Sequence, residues 1–181
     1  MSAPVLAEAM RRAGAVRKPL RLPNFDYSLP GAYFVTITIQ NRAHLLGSLN
    51  ERAEVNLSAA GKMVEAWWTK LPEKFPRVTL DAYSTMPDHF HGIVLIDATA
   101  ASESDPVVSL SRIIQWFKTM STDEYIQRVK TDRWPRFARR LWQRSFFDHI
   151  IRSEQALLKI REYIERNPGA LYEAIRNHML D

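Results

Sequence analysis

Met86-Pro87-Asp88-His89-Phe90-His91-Gly92-Ile93-Val94-Leu95-Ile96 opens on a turn and runs on as a strand. Proline presets one backbone angle of a turn, and aspartate bonds locally to the backbone, so Pro87-Asp88 marks the reversal. His89 to Ile96 is apolar and rich in β-branched residues, as a strand requires. Alternate residues of a strand share a face. His89 and His91 therefore project together, and Phe90 projects the opposite way into apolar packing. Before the turn, Val78 to Ser84 reads as another strand, which makes the pair an antiparallel hairpin.

The rest of the fold follows outward from that hairpin. In the Ala32 to Gln40 run, Tyr33, Val35, Ile37 and Ile39 alternate with Phe34, Thr36, Thr38 and Gln40, which describes a first strand. Asn41 to Asn56 reads as a loop with room for a short hairpin. Ser58 caps a helix that runs to about Leu71 and stops at Pro72, with Met63, Ala66, Trp67 and Lys70 at helical spacing. A small polar loop covers 98–105. Leu110, Ile113, Ile114 and Phe117 then predict an amphipathic helix from Val107 to about Met120. Ser145 to Ile151 reads as a further strand. Ser153 opens a helix to Arg166 with Leu157, Ile160 and Ile164 as its stripe, broken by Asn167-Pro168-Gly169. The order β-α-β-β-α-β predicts an α+β, ferredoxin-like antiparallel sheet with helices on one face and an additional C-terminal helix carrying Tyr163. The expected division is an irregular basic arm over 1–30, one domain over 31–168 and a short helical tail over 169–181.

The chain of 181 residues has no cysteine, which excludes disulfides, thiolate metal sites and cysteine nucleophiles. Any metal falls to His, Asp, Glu, Asn or Gln. No signal-peptide core or membrane-spanning run is legible, so a cytoplasmic protein without membrane attachment is expected. The net charge of +5 is unevenly placed. Arg128, Lys130, Arg133, Arg136, Arg139, Arg140 and Arg144 are interrupted only by Asp132, with Trp134, Phe137, Trp142, Phe146 and Phe147 among them. Arg11, Arg12, Arg17, Lys18 and Arg21 stand in the N-terminal arm. Basic residues neutralise phosphates, and exposed rings stack on unpaired bases. The same pattern also describes a solvated basic face with its aromatics in the core.

The histidine pair has two readings: two nitrogen ligands for one metal, or two histidines bonded to their neighbours at a strand start. Tyr163 and Asn167, four apart, share one helical face if the last turn holds. A tyrosine there is equally a core residue, and Asn-Pro-Gly a helix stop.

Three segments occur in order: Met86-Pro87-Asp88-His89-Phe90-His91, Trp142-Gln143-Arg144-Ser145-Phe146-Phe147-Asp148-His149-Ile150-Ile151-Arg152, and Tyr163-Ile164-Glu165-Arg166-Asn167-Pro168. Together they resemble the single-tyrosine transposases of the HUH class (histidine–hydrophobic–histidine), in particular the REP-associated tyrosine transposases of the IS200-like group. Gly31 to Thr36 with Gln40-Asn41-Arg42, and Leu110 to Lys118, are similar to that family's first strand and second helix. The resemblance covers about residues 25 to 170.

It implies a catalytic domain that cleaves and rejoins single-stranded DNA at palindromic, hairpin-forming sites such as REP elements. Carried over, Tyr163 is the nucleophile, and His89, His91 and Asn167 hold a divalent Mg²⁺ or Mn²⁺, with Gln143 a competing polar group. Arg139, Arg140, Trp142 and Arg144, with Arg17 and Lys18 of the arm, become the candidate DNA contacts. Relatives act as monomers or as homodimers. A non-catalytic nucleic-acid-binding module and a metal-dependent nuclease using water stay open as alternatives.

Overall fold

The computed structural model describes residues 25–50, 54–97 and 108–166. The expected arm before Phe25, the polar loop, Asn167 and the C-terminal tail lie outside the described residues. Strand β1 is Gly31–Thr38, and β2 (Gly47–Leu49) and β3 (Val55–Leu57) form a small hairpin. Helices α1 (Ala59–Thr69) and α2 (Leu71–Lys74) follow, then strands β4 (Val78–Thr85) and β5 (His89–Ile96). Helix α3 (Leu110–Thr131), strand β6 (Phe147–Ile151) and helix α4 (Glu154–Arg166) complete the order. The main sheet runs β4-β5-β1-β6 and is antiparallel throughout. Once the small hairpin is set aside, that is the ferredoxin-like order.

Alternation along β1 separates two apolar layers. Tyr33, Val35 and Ile37 pack with Met63, Val64 and Trp68 of α1 and with Ile113, Ile114 and Phe117 of α3. Phe34 faces the other way and joins Ile93, Ile151, Ile160 and Ile164. The two crossover helices therefore share one face of the sheet, and α4 covers the opposite face. Both clusters are buried, and burying a large apolar side chain contributes about 1.5–3 kcal/mol.

Several boundaries differ from the sequence reading. Ser58 caps α1 as expected, accepting from the Gly61 N–H at 3.1 Å. Pro72 does not end helical structure there. It sits in the first turn of α2, where its missing N–H costs nothing. The buried face of α1 is Ala60, Met63, Val64 and Trp68, while Ala66 and Lys70 are exposed. Helix α3 continues eleven residues beyond the expected end at Met120. Its stripe runs on through Ser121 and Tyr125, both buried, and a serine in an apolar stripe conceals the periodicity. The Ser121 hydroxyl donates to the Phe117 carbonyl at 2.7 Å and accepts from Trp142 Nε1 at 2.9 Å. Among the described residues no helix is long and apolar enough to cross a membrane.

Candidate active site

The site lies on the α4 face of the sheet. His89 and His91 start β5, opposite Thr38 and Thr36 of β1. Residues directly opposite in an antiparallel pair project to the same face, so the two threonines and two histidines form one patch. Both histidines are buried. Their Nε2 atoms are 2.8 Å apart, with the rings nearly perpendicular at 80°.

Each outer nitrogen has its own partner. His89 Nδ1 meets Asp88 Oδ1 at 2.5 Å, and His91 Nδ1 meets Thr36 Oγ1 at 2.9 Å. Phe34 stacks on His91 with a centroid separation of 5.5 Å. Asp88 is itself buried and also accepts from Arg42 Nε at 2.8 Å. Burial works to raise the Asp88 pKa. The His89 hydrogen bond and the nearby positive charge of Arg42 more than offset it, so the carboxyl lies below its ordinary value.

This arrangement fits a cation. An ionised carboxylate accepts only, so His89 donates from Nδ1 and its Nε2 carries a lone pair aimed at His91. Two imidazole nitrogens about 2.1 Å from one metal, at a right angle, are separated by about 3 Å. The observed 2.8 Å is close to that separation. The Asp88–His89 bond is the carboxylate–histidine contact that orients metal-bound imidazoles in general. Among the described residues no third histidine or carboxylate completes a metal-holding cluster. Asn167, the expected third ligand, lies outside the described residues. Gln143 is tied by its N–H to the Thr38 carbonyl at 2.8 Å. Its backbone is thus two strand spacings, about 10 Å, from that of His89.

Tyr163 is half-buried on α4 and packs against the cluster of Phe34, Ile93, Ile160 and Ile164. Phe34, a member of that cluster, also stacks on His91. Helix α4 is also clamped to β4. Arg161 Nε donates to Asp81 Oδ1 at 2.8 Å, and its Nη2 donates to Asp81 Oδ2 at 2.5 Å. Asp81 sits in an irregularity of the β4–β5 pairing between Leu80 and Tyr83. A bulge re-aims side chains, which explains how Asp81 reaches the helix.

The basic segment meets the sheet beside the histidines. The Leu141 carbonyl accepts from Gln40, and Trp142 bridges Ile39. Arg139, Arg140 and Arg144 are exposed and line an open cleft of about 670 Å³ against α3, with Ile126 and Phe137 in its wall. Lys118 Nζ donates to the carbonyls of Gln143 and Ser145 at 3.0 and 2.9 Å and holds the arginine loop to α3. Trp142 needs correction as an expected stacking surface. It is buried, with its N–H satisfied by Ser121, and its ring packs on Phe117 at 5.8 Å. Trp134 and Phe137 likewise pack on Tyr125. The aromatics of this segment build core while the arginines face water. Arg17 and Lys18 lie outside the described residues.

Four residues to which the sequence alone assigned no part in the site surround the histidines: Thr36, Phe34, Asp88 and Arg42. Asp88 carried a signal, being adjacent to the histidine pair. Thr36 and Phe34 become visible only through strand register.

The family model described as "Transposase IS200 like" matches residues 38–167. An uncharacterised protein of Haemophilus influenzae is 31% identical over 159 residues, covering 84% of this chain and 88% of its own. The "Putative REP-associated tyrosine transposase" of the same organism is 26% identical over 148 residues, covering 79% of this chain and 73% of its own. The solved structure of a REP-associated tyrosine transposase bound to a REP hairpin superposes with a TM-score of 0.53 at 19% identity, covering 83% of this chain and 72% of that one. That structure is a likeness of fold. The family model, by contrast, spans most of the sequence, both histidines and Tyr163, and the chain belongs to the IS200-like transposase family.

Proposed function

We propose that this protein cleaves and rejoins single-stranded DNA at hairpin-forming sites of the REP type, with Tyr163 as nucleophile. The observation that carries this reading is the pair of Nε2 atoms 2.8 Å apart on the sheet face where Tyr163 packs. His89 and His91, with Asn167, would hold a divalent cation. Bound there, Mg²⁺ or Mn²⁺ supplies a Lewis acid that polarises the phosphodiester. Imidazole donors favour Mn²⁺ over Mg²⁺, which prefers oxygen.

The chain's own residues perform the rest. Asp88 and Thr36 orient the two imidazoles. The Asp81–Arg161 clamp and the buried face of α4 hold Tyr163 over the sheet. The Tyr163 oxygen attacks phosphorus and loses its proton. The bond from phosphorus to the 3′-oxygen breaks, and that oxygen leaves as a free 3′-hydroxyl. The product is a 5′-phosphotyrosine, which preserves the bond energy for resealing by another 3′-hydroxyl. Arg139, Arg140 and Arg144 would neutralise backbone phosphates near the site. The hairpin preference is transferred from the REP-associated relatives.

The test is a denaturant-resistant protein–DNA adduct formed from labelled, hairpin-bearing single-stranded DNA with Mn²⁺. An adduct in the wild type that disappears in Tyr163→Phe and in His89→Ala supports the reading. Cleavage that survives in Tyr163→Phe would replace it with water attack. DNA binding without cleavage would replace it with a binding module.

A further inference from the structure

The metal site has a support that the family pattern of two histidines and a tyrosine does not include. Asn41 and Arg42 both adopt left-handed backbone, at φ 59° and 53°. Neither is glycine, and consecutive residues in this region are uncommon; such outliers cluster at functional sites. The tight turn is stitched by Arg42 N–H to the Ile39 carbonyl at 3.0 Å. Ile39 N–H in turn donates to the Asp88 carbonyl at 2.8 Å. The turn thereby folds the half-exposed Arg42 side chain back onto the buried Asp88 carboxylate, whose other oxygen receives His89 Nδ1.

We infer that Arg42 and Asp88 are a positioning pair for His89: Arg42 anchors the Asp88 carboxylate, and Asp88 fixes the His89 ring as its Nδ1–H tautomer with Nε2 turned toward His91. The inference rests on the metal role proposed for the histidines. The chemistry is directional. With Asp88 in place, His89 presents a lone pair at Nε2 and cannot donate from it. Without it, the imidazole is free to place its proton on Nε2, where it competes with a cation. Asp88 touches neither substrate nor the reacting atoms in this scheme, so it acts only through His89.

The experiment uses the full chain and two readouts that need no turnover. Nitrogen-15 histidine spectra of the metal-free protein report the His89 tautomer. Loss of the free Mn²⁺ electron-resonance signal reports metal affinity. Wild type is expected to show the Nδ1–H form. Asp88→Ala is expected to mix the tautomers and to weaken Mn²⁺ binding by about 10–100-fold. Asp88→Asn, whose amide can accept from Nδ1 or donate to it, is expected to fall between Asp88→Ala and wild type in both readouts, a graded response that general structural damage would not give. Arg42→Gln is expected to lose less than Asp88→Ala. An unchanged tautomer and unchanged Mn²⁺ affinity in Asp88→Ala would overturn the inference, and wild-type affinity in Arg42→Gln would remove Arg42 from it. Should Asp88→Ala not fold, an Asp88→Asn protein with both the tautomer and the Mn²⁺ affinity of wild type overturns it equally. If His89→Ala and His91→Ala bind Mn²⁺ as tightly as wild type, the metal reading falls, and the metal-free tautomer still decides the role of Asp88.

Discussion

Gly92, between His91 and Ile93, faces the helical layer, and replacing it by alanine tests how tightly that layer supports β5. A methyl carbon there would lie 2.4 Å from Trp68 Cζ2, 2.9 Å from Cε2 and 3.0 Å from Phe90 Cε1. Carbon atoms rest at about 3.5–4.0 Å, so the indole would need to retreat by about 1 Å. Its neighbours oppose that movement. Trp68 is fully buried, with Phe90 at 4.7 Å and Phe117 at 5.4 Å between ring centroids. Overpacking of this kind costs about 1–3 kcal/mol. With a urea dependence of about 2 kcal/mol per molar, the unfolding midpoint of Gly92→Ala is expected to fall by about 0.5–1.5 M. Trp68→Phe removes the second ring and with it the nearest carbons. The double variant is therefore expected to be more stable than the sum of the singles by about 0.5–3 kcal/mol, the range for coupled neighbours. Urea unfolding of the four proteins measures both quantities. A Gly92→Ala midpoint indistinguishable from wild type, or additivity between the two sites, would refute the packing described for β5.

Two further outcomes follow from ion pairs and charges. The Arg161 hydrogen bonds hold the Asp81 carboxyl below its ordinary value, against an opposing effect of burial and with help from the Ala82 N–H. A depressed carboxylate pKa stabilises the fold fully above the unfolded value of about 4, and the contribution is lost as pH falls through the lower folded value. Asp81→Asn is thus expected to lower the urea midpoint at pH 7, with the gap to wild type closing in strong acid; an equal gap at both extremes would refute the clamp. Replacing Arg139, Arg140 and Arg144 together by glutamine is expected to weaken single-stranded DNA binding and to flatten its logarithmic salt dependence by about 2, at about 0.7 for each phosphate no longer neutralised. Unchanged slopes in a filter-binding titration would exclude the cleft as a surface for phosphates.

Much of the architecture was legible because alternation and helical spacing are local. The Tyr33/Phe34 alternation, the Ser58 cap and the His89–Ile96 strand all reappear in the structure. Helix α3 was read too short because Ser121 interrupts an apolar stripe, and its burial is compensated by Trp142, twenty-one residues away. The arginine segment was legible as charge. Its aromatics were ambiguous, since whether a ring faces water or core depends on what packs against it, and here Tyr125 and Phe117 do.

By itself the sequence determined that His89 and His91 share a face and that Tyr163 follows on a helix, because residue spacing within one element sets relative direction. Only the tertiary structure decided that α4 covers the face bearing the histidines rather than joining the other helices. It decided too that Thr36, Phe34, Arg42 and Asp88 surround them. Strand register and the two-sided burial of the sheet bring together residues far apart in the chain, such as Thr36 and His91, 55 positions apart, and no local pattern encodes that meeting.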